Sequence, residues 1–260
     1  MKIKLIILLL LVFRTGIALS QDSTRSVLYS FPDSTFHVGE IYFSGNELTK
    51  DYIIEREMSL KPGKLLTYEN LEYDINRIYS LQLFNKVDIK VVPDSNSAAL
   101  LVLLSERWYF YPYPIVGLKD RSWSKIYYGM GVAHTNFSGE NIQVFAEGAL
   151  GYDPFISLYY SDPWVSRENN LFFFGKLLYA VMRNRSLVSQ ASGSNFDETR
   201  YGTFVGLGKR FSLFTTASVK LEYTSITVSD NKAGRTLAPD GTDRFFSFTL
   251  FQKLFKPLIS

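Results

Sequence analysis

From Trp108 to the C-terminus, large apolar residues alternate with small or polar ones, the period-two signature of strands with two unlike faces. Ile126, Tyr128, Met130 and Val132 share one face against Tyr127, Gly129, Gly131 and Ala133. Leu171, Phe173, Leu177, Tyr179 and Val181 oppose Lys176, and Ala217, Val219, Leu221 and Tyr223 oppose Ser218, Lys220, Glu222 and Thr224. Similar segments around Val144, Leu158, Val205 and Phe248, with Tyr109–Val116 ahead of them all, predict about eight antiparallel strands. Glu147, Lys176, Arg210, Lys220 and Glu222 fall opposite apolar, ring-bearing faces. A soluble sandwich would place aliphatics on the inner face, whereas a barrel in lipid with a wet interior accommodates these charges without desolvating them. Trp108, Tyr109, Tyr111, Tyr113, Trp123, Trp164 and Phe245, near segment ends, fit interfacial belts.

Ahead of Trp108 the period changes. Val38, Ile41 and Phe43 predict a strand closed by Gly45-Asn46. Thr49 is placed to cap a helix running to about Met58, which Lys61-Pro62-Gly63 stops, and Thr67 to cap a second from Tyr68 to about Ser80. Two strands follow, Phe84–Val92 and Ala99–Ser105, joined by a turn at Pro93-Asp94-Ser95-Asn96. The order β-α-α-β-β predicts a small α+β module, a three-stranded sheet backed by two helices.

The chain opens with Lys2 and Lys4, an apolar run from Leu5 to Phe13, and Ala18-Leu19-Ser20, the pattern of a secretory signal peptide over residues 1–20 cleaved before Gln21. Residues 21–35 read as a polar linker. Taking Lys2, Lys4 and Arg14 from the 28 basic side chains leaves 25 against 25 acidic, a balance with no footprint for a nucleic-acid backbone. The absence of cysteine excludes disulfide scaffolds, thiolate metal sites and thiol nucleophiles. His37 and His134 are too far apart in sequence to suggest a histidine metal site, and Gly202, Gly206 and Gly208 before Lys209 have the wrong spacing for a phosphate loop. No catalytic, metal or cofactor residues are expected, and the chain reads as a non-enzyme. With 21 Phe and 17 Tyr, its aromatic content suits membrane strands.

Three pieces of the α+β module, Ile41-Tyr42-Phe43-Ser44-Gly45-Asn46, Leu60-Lys61-Pro62-Gly63 and Leu83-Phe84-Asn85-Lys86-Val87, resemble a POTRA domain, with Gly45, Asn46, Pro62, Gly63, Phe84 and Val87 as its motif positions. In the second half, Asn136-Phe137-Ser138-Gly139 and Asp162-Pro163-Trp164 resemble an early-barrel turn and an end-of-strand signature of the BamA/TamA-type outer-membrane assembly proteins. Asn136, Gly139, Asp162, Pro163 and Trp164 are the barrel turn positions. The resemblance implies a POTRA domain over 36–106 in the periplasm and the N-terminal part of an outer-membrane β-barrel over 107–260. It further implies a factor that receives unfolded outer-membrane clients and templates their insertion, with the lipid bilayer and accessory periplasmic or lipoprotein subunits as partners. Tyr109, Tyr111, Pro112, Tyr113 and Pro114 form the candidate lateral seam, because proline donates no ladder hydrogen bond. The family barrel has about sixteen strands, so two readings stand: the front half of a longer protein, or a compact eight-stranded barrel. Phe251–Ser260 does not read as a terminal barrel strand. Alternatives in function are a two-partner-secretion type translocation pore and a passive structural barrel.

Overall fold

The computed structural model describes residues 36–94, 97–166, 168–184, 195–212, 215–231 and 235–254. The leader and linker expected over residues 1–35 lie outside them.

The module begins with β1 (His37–Ser44), followed by α1 (Asp51–Glu55), α2 (Tyr68–Tyr79), β2 (Phe84–Asp94) and β3 (Ser97–Glu106). Its sheet runs β1-β3-β2, with β1 parallel and β2 antiparallel to the central β3. β3 alternates strictly, burying Ala98, Leu100, Val102 and Leu104 against the helices. Ile53 and Ile54 from α1, Leu71 and Ile78 from α2, and Phe84 and Ile89 from β2 close this core. The expected β-α-α-β-β order is therefore observed. β2 continues through Pro93 to Asp94, which pairs with Ser97, so the turn shortens to residues 95–96, outside the described residues.

α2 starts as its sequence predicts, with Thr67 Oγ1 accepting the Asn70 N–H at 3.2 Å. α1 does not. Its N-cap is Lys50, without a side-chain cap, and the helix ends at Glu55. Thr49 is drawn into another hydrogen-bond chain, described below. A buried carboxylate takes over the work of ordering the turn after α1: Asp74, fully buried in α2, accepts the N–H groups of Ser59 at 2.6 Å and Leu60 at 2.9 Å. Gly63, at φ +83°, donates to Val38 O at 2.7 Å, and Leu66 donates to Phe36 O at 2.9 Å, so the Pro62-Gly63 turn brings residues 63–66 alongside the start of β1.

Eight antiparallel strands form the second sheet, in chain order from β4 to β11: Phe110–Leu118, Ile126–Phe137, Ile142–Gly151, Phe155–Ser166, Leu171–Asn184, Phe196–Arg210, Thr215–Val228 and Thr242–Leu254. β4 and β11 are its two edges. The strand count matches the alternating segments. Two bounds differ from expectation: Asn184 pairs with Phe196, which narrows the long polar connection after β8, and β11 runs through Phe251 to Leu254.

The two faces are those the alternation predicts. Tyr128, Met130, Leu158, Leu177, Leu221 and Phe248 are exposed on one face. The other carries the charges, with Lys220 Nζ donating to Glu222 at 2.7 Å. Glu147 accepts from Tyr113 Oη at 2.6 Å and Ser157 Oγ at 3.2 Å; among the described residues Lys176 joins neither group. The glycines opposite the apolar face have a packing cause. The rings of Phe172 and Phe174 lie where a Cβ on Gly208 and Gly206 would project, and Tyr113 and Tyr127 do the same over Gly131 and Gly117. Rings folded over glycines on adjacent strands pin strand register.

Replacing Asp74 with Asn leaves one of its two N–H partners facing an amide donor. The expected loss is about 2 kcal/mol of stability, read as a lower urea midpoint of the purified protein.

Candidate functional site

The module-proximal ends of the strands form a polar junction with the loop and helix around α1. Asn136, buried at the end of β5, donates from Nδ2 to Thr49 Oγ1 at 2.9 Å, and its Oδ1 accepts the Asn141 N–H at 2.7 Å. Thr49 Oγ1 lies 3.1 Å from Tyr109 Oη, which donates to Leu83 O at 2.9 Å. With the Tyr109 proton committed to Leu83 and the Asn136 proton to Thr49, the Thr49 hydroxyl donates to Tyr109. The chain Asn136 to Thr49 to Tyr109 to Leu83 thus crosses from the second sheet into the module. Burial pushes the Tyr109 phenol up to about 12. Glu106 completes this side by accepting the Leu48 and Thr49 N–H groups at 3.1 and 2.7 Å.

The Asn136-Phe137-Ser138-Gly139 turn is pressed against the same loop. Lys50 N–H donates to Gly139 O at 3.0 Å, and Gly139, at φ +72°, sits where a Cβ would run into Leu48 O. Glycine is needed here for conformation and for close approach alike.

On the other side of α1 stands a charge cluster. Glu57 has a side chain only 3% exposed and receives Arg210 bidentately, Nη1 at 2.7 Å and Nη2 at 2.9 Å, together with Arg77 Nη2. Arg56 Nε approaches it at 3.8 Å. Two guanidinium groups approach the Trp164 ring, Arg56 at 4.2 Å and Arg210 at 5.3 Å from its centroid. Burial alone would raise the Glu57 carboxyl, but the Arg210 hydrogen bonds and the charges of Arg210, Arg77 and Arg56 outweigh it and hold the group below its ordinary value. Burial lowers Arg56 to about 9, opposed by Glu57 beside it.

Several sequence-predicted positions move. Tyr109 precedes β4 and is buried in the junction, not in a seam or an interfacial belt. Tyr113 points across Gly131 to Glu147 on the charged face, and Trp164 stacks with arginines, so neither belongs to a belt. Asp162-Pro163-Trp164 is an irregularity inside β7 and not its end: pairing with β8 breaks after Asp162 and resumes at Ser166. Asp162 Oδ1 accepts the Trp164 N–H at 2.7 Å, which turns the indole towards the module. Tyr111, Pro112 and Pro114 lie in β4, at the sheet edge. In the module, Gly45 at φ +90° closes β1 under Leu104 O, Asn46 Nδ2 donates to Asp51 at 2.6 Å, and Phe84 and Val87 are buried. The sequence reading missed Arg56, Glu57 and Arg77. The available signal was Glu57 itself, three and four residues beyond Ile54 and Ile53 on an apolar helical stripe.

Among the described residues no group of acidic and histidine side chains is arranged to hold a metal. Residues 36–107 match the family model POTRA, the surface antigen variable number repeat. The fold is shared with BamA from Haemophilus ducreyi, solved without POTRA domains 1–3, at 19% identity and a TM-score of 0.60 over 83% of this chain and 42% of that one. CdiB from Escherichia coli aligns at 12% identity with a TM-score of 0.52, over 84% of this chain and 41% of that one. The chain thus spans less than half the length of each. Module and sheet together bear out the motif-based likeness to the BamA/TamA type.

Glu57→Ala strands three guanidinium groups around a vacated centre, and an expected loss of about 3–5 kcal/mol lowers the urea midpoint. Glu57 is depressed in the folded state, so its contribution is full above the ordinary carboxyl value of 4.5 and disappears as pH falls through the lower folded value. An acid titration of the wild type approaches the alanine variant only at the low end. Gly139→Ala carries about 2 kcal/mol of strain at its positive φ and is expected to lower the same midpoint.

Proposed function

We propose that the protein is an outer-membrane assembly factor, in which a periplasmic POTRA module receives unfolded barrel clients and the edge strand β4 templates their insertion into the bilayer. The observation that carries this reading is an edge strand of a membrane-type sheet joined within four residues to a POTRA module: β3 ends at Glu106 and β4 begins at Phe110. A client held by the module is thereby delivered to the strand where a new β-ladder can start.

The membrane assignment rests on one face of the second sheet. Exposed Tyr128, Met130, Leu177, Leu221 and Phe248 form a continuous apolar surface that water would penalise and hydrocarbon accepts. Backbone groups in hydrocarbon need partners, so an open edge there has a strong tendency to pair with another strand. In the module, β2 is the terminal strand of the sheet, and a terminal strand is the element to which extended peptides add. Residues 63–66 already occupy the start of β1. Clients in this reading are extended, alternating chains on their way to becoming barrels, with the bilayer and accessory subunits as further partners.

The test is reconstitution into phosphatidylethanolamine–phosphatidylglycerol vesicles, followed by addition of a urea-denatured eight-stranded outer-membrane barrel whose folding is scored by gel mobility. Folding at least tenfold faster than in empty vesicles is expected. Ion conductance without faster folding would instead favour a passive pore, and transport restricted to one secreted protein would favour a dedicated translocator.

A further inference from the structure

The hydrogen-bond phase of β4 decides what its outer edge can offer. The β4–β5 register, which starts at Phe110 opposite His134, carried one residue further sets Tyr109 opposite Thr135, and the Thr135 N–H donates to Tyr109 O at 3.0 Å. In an antiparallel pair such exchanges recur at every second residue, so the odd-numbered residues of β4 turn their N–H and C=O groups towards β5. The β5–β6 ladder agrees: Tyr152 N–H donates to Ile126 O at 2.8 Å, which sends the even-numbered residues of β5 towards β6 and the odd-numbered ones towards β4. Phe110, Pro112, Pro114, Val116 and Leu118 therefore direct their backbone groups outward. The two prolines take nothing from the β4–β5 ladder, which Tyr113 reinforces by reaching over Gly131 to Glu147. What they remove are two outward donors. The third position of that half is altered as well, because the Trp108 indole N–H donates to Phe110 O.

We infer that the outer edge of β4 is divided: its module-proximal half, Phe110–Pro114, is closed to strand addition, and its distal half, Val116–Leu118, is where a partner strand pairs. Val116 and Leu118 keep both an N–H and a C=O facing outward. The occupant is an extended, alternating client segment, apolar on the side it shares with Val116, whose side chain is 71% exposed on the lipid-type face. Such a segment laid along the proximal half would hold carbonyls opposite Pro112 and Pro114 with no donor to meet them, which hydrocarbon does not tolerate. Pairing confined to the distal half makes a short ladder, and a short ladder lets go. This deepens, and rests on, the reading of β4 as the client-templating strand.

The natural chain contains no cysteine, so single cysteines report cleanly. In the reconstituted protein, Phe110→Cys and Val116→Cys are each presented with the urea-denatured eight-stranded barrel carrying one cysteine in each of its strands in turn, and disulfide yield is followed with time. The parent is expected to crosslink at Val116 at least tenfold more than at Phe110. Pro112→Ala with Pro114→Ala, which restores two outward donors, is expected to raise the Phe110 yield towards that of Val116 and to prolong the crosslinkable state. Trp108→Phe, which frees the Phe110 carbonyl alone, is expected to raise it less. Equal yields in the parent, or yields unmoved by the proline replacements in a protein that still accelerates folding, would overturn the division of the edge while leaving the assembly role intact. No crosslink at either position during accelerated folding would overturn β4 as the templating strand, and this inference with it.

Discussion

One carboxylate among three guanidinium groups sets the relation between the two sheets. Glu57 stands in the turn just after α1, and its nearest partners come from three elements: Arg210 from the end of β9, Arg77 from α2, and Arg56 from its own turn. A buried charge of this kind is tolerated only while its partners stay in place, so the geometry is self-enforcing. Trp164 extends the constraint to β7 through its contacts with Arg56 and Arg210. The hydrogen-bond chain from Asn136 to Leu83 fixes the opposite side of α1 against β5. Two polar attachments, one ionic and one neutral, thus straddle a five-residue helix that would be marginal alone.

The regular parts of both sheets were legible because their causes are local and repetitive. Strand alternation records which face carries the large apolar residues, and β8 and β10 carry that record plainly in Leu177 against Lys176 and Leu221 against Lys220. The cap of α2 was legible because Thr67 meets no competing partner among the described residues, whereas Thr49 has one: the buried Asn136, 87 residues further along, outbids the helix for its hydroxyl. The Asp162-Pro163-Trp164 motif was visible as an interruption, but its sense depended on residues far away. Proline read as a strand stop; the indole reaching Arg56 and Arg210 makes it an in-strand break that aims a side chain. The phase of the β4 ladder was likewise beyond the sequence, because alternation reports where side chains point and says nothing of which neighbour the N–H groups address.

Rings and glycines form a second layer of specification. Phe172 over Gly208 and Phe174 over Gly206 bind β8 to β9 across the charged face. Tyr113 over Gly131 does the same for β4 and adds a hydrogen bond to Glu147 two strands away. The high aromatic content therefore serves two purposes: large residues on the exposed apolar face, and register locks on the other.

Gly139 gives the junction an inherited grammar. Its carbonyl holds the Lys50 amide, and its missing side chain makes room for Leu48, so turn and module are fitted to one another at a single backbone contact. A foreign module grafted onto this sheet would have to bring a loop that tolerates the same approach, and a foreign sheet would have to supply the glycine. Chimeras cut between Glu106 and Phe110 always divide that contact between two parents, so they will recombine well only when the loop of one tolerates the close approach of the turn of the other.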